Sequence, residues 1–134
     1  MASVTTFFAS LGAPLVNPRW SWGALRRSDG TIFLRVWQDL KLIEDGQSLM
    51  LLDGRNADIQ DALGYKERQR HIESIRNGAR CFLVMCTVDD PKASPRKIRE
   101  FNDQEVFAGG EIVERNGKVY IRRGERLLCD AVKL

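Results

Sequence analysis

Histidine is almost missing from this 134-residue chain. His71 stands alone, beside three cysteines, two tyrosines and four prolines. A zinc centre needs about four Cys or His ligands at close spacing. Cys81, Cys86 and Cys129 are scattered and do not supply them with His71, so no metal and no cofactor is expected. No apolar run approaches the roughly 20 residues of a membrane helix. The first residues lack the charged start and long apolar stretch of a signal peptide. Neither a membrane partner nor a leader is expected. An odd number of cysteines in apolar segments reads as reduced thiols in a cytoplasmic protein. Cys81 and Cys86 are five apart, so on a straight strand they point to opposite faces and cannot pair. Also lacking are a phosphate-binding glycine loop, a Gly-x-Ser-x-Gly elbow and a Cys/His/Asn set in a confirming context. No catalytic residue is therefore assigned.

The chain is 43% hydrophobic and 29% charged, the balance of one globular domain with a single core. Charge is uneven along it. Residues 39–61 hold six acids against Lys41 and Arg55, a local charge of −4, so a chain of total charge +3 carries +7 elsewhere. A mildly basic domain with one acidic patch can meet a polyanion on one side.

Local patterns set the expected elements. Ser3 can cap a helix through Leu11, with Phe7, Phe8 and Leu11 as its stripe and Gly12 as its stop. Pro14 and Pro18 hold the chain extended. Residues 19–27 and 31–37 flank Ser28-Asp29-Gly30, a hairpin turn. A buried strand is expected over residues 47–52. Asn56 or Asp58 can start a helix in which Ile59, Ala62 and Leu63 keep helical spacing, with Gly64 breaking or bending it. The main helix is expected over 65–77, with Ile72 and Ile75 inward and Gly78 as its stop. Residues 81–88 read as the strongest strand. Residues 89–95 read as a loop, and Pro95 as the start of a short helix through Phe101. A second hairpin is expected around Asn116-Gly117, between 105–115 and 118–123, with a bulge at Gly109-Gly110. A last strand is expected over 127–132. The sum is an α+β fold: a strongly bent, mostly antiparallel sheet or small β-barrel with two or three helices.

Two features bear on function. Trp20 and Trp22 are two apart, as are Arg35 and Trp37 on the partner strand, so period-2 alternation can collect them into an aromatic patch around an arginine. Such a patch stacks a flat base, with Arg35 supplying cation–π or phosphate contact. The competing reading is that these rings fill the core. Gly23, inside the first strand, marks a bulge or a close backbone approach. Arg96, Lys97 and Arg99, after a loop, form a second candidate for phosphate contact. Residues 64–80 carry Lys66, Arg68, Arg70, Arg76 and Arg80, a basic face that suits either phosphates or solvent. His71 reads as a surface or semi-buried helix residue rather than a base, and Asp89-Asp90 as a turn rather than a metal site.

The stretches WSWGA and TIFLRVWQD, on a compact bent sheet with a helix near its mouth, resemble the PUA-like superfamily of EVE, SRA, YTH and ASCH domains. That resemblance implies nucleic-acid binding and a modified base held between aromatic walls. The expected function is a non-catalytic nucleic-acid-binding module, for DNA or RNA, through Trp20, Trp22, Arg35, Trp37, Arg96, Lys97 and Arg99. The alternative is a protein-interaction module that forms a homodimer or docks a separate effector protein. A small hydrolase or nuclease using His71 or Asp89 and Asp90 is a third.

Overall fold

The computed structural model describes residues 3–55, 62–93 and 96–133. Helix α1, Val4–Ser10, begins where expected: the Ser3 hydroxyl accepts a hydrogen bond from the Thr6 N–H at 3.1 Å. It ends at Gly12, whose φ of 78° is the left-handed stop that a side chain disfavours. Strands β1, Gly23–Arg26, and β2, Thr31–Trp37, form the first hairpin, with Ala24 opposite Phe33.

Strand β1 is shorter than its alternation suggests. Asn17 folds the preceding residues into a turn: its side-chain oxygen accepts from the Arg19 N–H, and its carbonyl from the N–H groups of Trp20 and Ser21. The local side-chain bond outcompetes the ladder. Trp20 and Trp22 therefore precede the strand instead of sharing a face of it.

Strand β3, Lys41–Glu44, was not expected. It pairs with β4, Gln47–Asp53, through Asp45-Gly46, both at positive φ. That is the same two-residue turn chemistry as Asn116-Gly117, which joins β7, Glu105–Arg115, to β8, Lys118–Leu128. Helix α2, Leu63–Arg76, contains Gly64 in its first turn rather than breaking there. The helix start expected at Asn56 or Asp58 lies outside the described residues.

Strand β5, Cys81–Val88, runs parallel to β2 and antiparallel to its other partners. On its second edge β7 pairs with Phe82 and Leu83, and β6, Ile98–Phe101, with Cys86 to Val88. The basic segment after Pro95 is thus a strand and not a short helix, because the free half of the β5 edge takes it up. Pro95 itself lies outside the described residues. The chain ends in α3, Cys129–Val132, where a strand was expected. The glycine pair at 109–110 does interrupt the β7–β8 register.

The fold is α+β, with three helices among the described residues and one mostly antiparallel sheet in the order β1-β2-β5-β7-β8-β4-β3, with β6 beside β5. Three strands separate β2 from β4, yet Ile32, Leu34 and Val36 share one core with Met50 and Leu52. Such packing requires the sheet to curl on itself. Cys81, Leu83, Ile121 and Ile72 complete this inner core. On the other face, α1 and α3 cover Ala24, Phe33, Phe82, Val84 and Cys86. The five-residue spacing of Cys81 and Cys86 indeed places them in opposite cores, and all three thiols are free and buried.

The curl does not close into a barrel. Helix α2 spans the open seam with Arg68, which is wholly buried. One Arg68 Nη atom donates to the carbonyls of Trp22 and Arg35 at 2.9 and 2.8 Å, and the other to Leu52 on β4 at 3.2 Å. A second buried arginine does the same on the outer face. Arg26 donates to the carbonyls of Leu11 and Val132, at the ends of α1 and α3, and is paired with Asp29 at 2.9 Å.

Candidate functional site

Residues 67, 70, 71 and 74 are three and four apart, so α2 presents Glu67, Arg70, His71 and Ser74 on one face. That face looks across a cleft of about 760 Å³ at an apolar wall of Pro14, Leu15, Val16, Leu25 and Ile32, with Arg27 and Ser28 at one end. The apolar wall is open to solvent: Val16 is 71% and Leu25 43% exposed. Leu25 and Ile32 are register partners on the face of the hairpin turned away from Ala24 and Phe33, and residues 14–16 supply the rest of the wall.

Electrostatics divide the polar face. The Glu67 carboxylate accepts from the Ser21 hydroxyl at 3.1 Å and the Trp22 N–H at 3.3 Å. Burial nevertheless raises its pKa, outweighing these bonds. His71 is buried, which lowers its pKa to about 4, and the charges of Arg68 and Arg70 push the same way. It is neutral near pH 7, and its Nδ1 has no hydrogen-bond partner. Arg27 and Arg70 are both exposed, and neither forms an ion pair among the described residues. The cleft therefore joins an apolar slab to two exposed guanidinium groups, with the Glu67 carboxyl, whose pKa Arg70 pulls down, as its one acid.

The residues singled out from the sequence fall elsewhere. None of the three tryptophans lines this cleft. Trp22 is half-buried against α2, edge-on to Tyr65 with ring centroids 6.5 Å apart and with Arg68 5.8 Å from its own centroid. Trp20 is half-buried in the turn that follows Asn17. Trp37, at the far end of β2, packs on the outer core and is covered by Arg96 at 4.7 Å. Arg96 is in turn paired with Asp39 at 2.6 Å. Arg35 donates to the Ser21 carbonyl at 2.8 Å, and burial lowers its pKa. Lys97 and Arg99 are exposed on or beside β6. The alternation that was to gather the indoles around Arg35 is broken by the Asn17 turn.

Sequence reasoning passed over Arg27 and Glu67 as site residues and named Arg70 only within the basic face of residues 64–80. The signal for the α2 face was present in the spacing of Glu67, Arg70, His71 and Ser74. The signal for its partner wall was not, because that wall comes from residues 35 or more positions away in sequence. No group of three or more His, Cys, Asp or Glu side chains converges among the described residues. Among the described residues, no helix is long and apolar enough to cross a membrane. Compared with known proteins, the chain matches no family model, no curated protein and no solved structure with significant similarity.

Proposed function

We propose that the protein is a non-catalytic nucleic-acid-binding module, with a fold of the PUA-like kind, and that the cleft between β1 and α2 seats its ligand. One observation carries this reading: an exposed apolar wall of Val16 and Leu25 shares a cleft with Arg27 and Arg70, which form no ion pair within 4 Å among the described residues. An apolar slab suits a base face, and guanidinium groups suit phosphates. At about 760 Å³ the cleft is within the usual range of ligand pockets, about 300–1,000 Å³. It admits single-stranded or extruded nucleotides more readily than a duplex. An apolar wall also tolerates an added methyl group, which supports the finer reading of a modified-base reader.

The test is a titration of tryptophan fluorescence with short DNA and RNA, plain and base-modified, at low salt. Trp22 reports on the cleft because its N–H is bonded to Glu67. A saturable change that Arg27→Ala and Arg70→Ala both weaken is expected. No binding of any oligonucleotide, together with a concentration-dependent dimer in light scattering, would replace this reading by the assembly module.

A further inference from the structure

A smaller recess, of about 300 Å³, opens at the other end of β2 and β5. Met85, Phe101 and Phe107 form its apolar lining, and Arg123 sits over Phe107 with its guanidinium carbon 4.8 Å from the ring centroid. On the same strand Arg122 reaches Glu44 and Glu111, and Arg126 reaches Glu105. Arg123 has no carboxylate within 4 Å among the described residues, although Glu100 lines the same recess and is itself unpaired there. With its charge over Phe107 and no ion pair among the described residues, the guanidinium keeps its fork of N–H donors for a ligand.

The rim is also arranged. Asn102 accepts through Oδ1 from the N–H groups of Gln104 and Glu105, both at 2.9 Å, so its side-chain amide is held with the NH₂ group left over. Gln38 accepts from the Thr87 hydroxyl at 3.4 Å, which likewise leaves its NH₂ group. The recess therefore offers a rigid two-pronged donor and two amide donors, with one carboxylate as acceptor. A complementary planar ligand needs two adjacent acceptors on one edge and adjacent N–H donors on another. Among the common bases this is guanine: O6 and N7 suit an arginine fork, and N1–H with the 2-amino group suits a carboxylate.

We propose that this recess is a guanine-base site, with Arg123 donating to O6 and N7 and Glu100 accepting from N1–H and the 2-amino group. The site is separate from the cleft at Arg27 and Arg70. Nucleosides carry no phosphate for those arginines, and dependence of their binding on Arg123 and Glu100, neither of which lines the cleft, distinguishes the two.

The experiment is calorimetric titration of the full chain with guanosine, inosine and adenosine. Guanosine is expected to bind, inosine several-fold more weakly for want of the 2-amino group, and adenosine about tenfold or more weakly because its edge sets a donor against the fork. Arg123→Lys, which keeps the charge and loses the fork, should narrow the preference for guanosine over adenosine several-fold, with Glu100 supplying what remains. Glu100→Gln should bring guanosine to the level of inosine. Unfolding midpoints of the Arg123 and Glu100 variants serve as the fold control, since both side chains reach solvent. Equal binding of guanosine and adenosine, no binding of either, or a preference for guanosine that is undiminished in a folded Arg123→Lys variant would each overturn the proposal.

Discussion

The guanidinium of Arg68 lies 5.8 Å from the centroid of the Trp22 ring and donates to the Trp22 carbonyl at 2.9 Å. The same group reaches Leu52 across the seam. A curled sheet that fails to close leaves backbone carbonyls along both lips, and one buried cation donates to three of them, the Trp22 carbonyl also accepting from the Arg35 N–H. Burial, helped by the charge of Arg35, lowers the Arg68 pKa to about 10, so the group stays protonated through the physiological range.

Removing that cation takes a donor from all three carbonyls, and the Trp22 carbonyl keeps another, the Arg35 N–H. Arg68→Met should destabilise the fold by about 3–5 kcal/mol, the scale of breaking a buried ionic contact on one side. Arg68→Lys keeps the charge but cannot span the seam, and should recover only part of the loss. Urea unfolding followed by tryptophan fluorescence measures both. A loss below about 1 kcal/mol for Arg68→Met would show that the seam does not depend on it.

Gly64 sets helix propensity against packing. Alanine is favoured over glycine inside a helix by about 1 kcal/mol. A Cβ at Gly64 would overlap the Trp20 carbonyl oxygen and lie 2.5 Å from Trp22 Nε1, and neither belongs to a flexible chain end. Gly64→Ala should therefore destabilise, by about 1–3 kcal/mol, as overpacking does. A rise in melting temperature would overturn that contact.

Stability should fall in mild acid because of His71. Its folded pKa of about 4 lies below the ordinary 6.5, so between these values the unfolded chain binds the proton and the folded chain does not. The neutral form is thus favoured by folding, and stability is lost as pH drops from about 6.5 toward 4, by up to about 3 kcal/mol. Glu67 acts in the opposite sense: its raised pKa favours the fold at low pH and weakens it as pH rises. Comparing unfolding of the parent protein with His71→Phe across this range isolates the histidine. An unchanged slope would exclude it.

The cysteines should be silent until the chain unfolds. Burial raises the Cys81 pKa to about 12, and raises those of Cys86 and Cys129 as well. The thiolate is the reactive form. A disulfide reagent at neutral pH should find none of the three within minutes in native buffer and all three in denaturant. Rapid labelling of one in native buffer would reveal local opening of its core.

Salt should decide how the arginines of the cleft act. For a single strand, each phosphate contact contributes about 0.7 to the slope of log affinity against log salt. Arg27→Ala and Arg70→Ala should each lower the slope by about that amount. Lys97→Ala and Arg99→Ala should do so only if the strand also tracks β6, which fluorescence titrations at several salt concentrations resolve.

Much of this molecule is written in short-range chemistry. Ser3 and Gly12 delimit α1, and Asn116-Gly117 forces a tight hairpin. Asp45-Gly46 does likewise, a signal passed over when 41–44 was not read as a strand. Alternation along 31–37 and 81–88 assigns each side chain to one of two cores. These features are legible because each acts within a few residues of itself. Whether an arginine is a ligand contact or a structural cation is not local. Arg35, Arg68 and Arg70 are alike as letters, yet the curl of the sheet places the first on a carbonyl, the second across a seam and the third beside an open cleft. That curl also decides that β6 fills half of an edge and that Trp22 and Trp37 take different neighbours. Sequence alone therefore determined the elements and their faces, while the tertiary structure decided which polar groups were spent on backbone partners and which were left for a ligand.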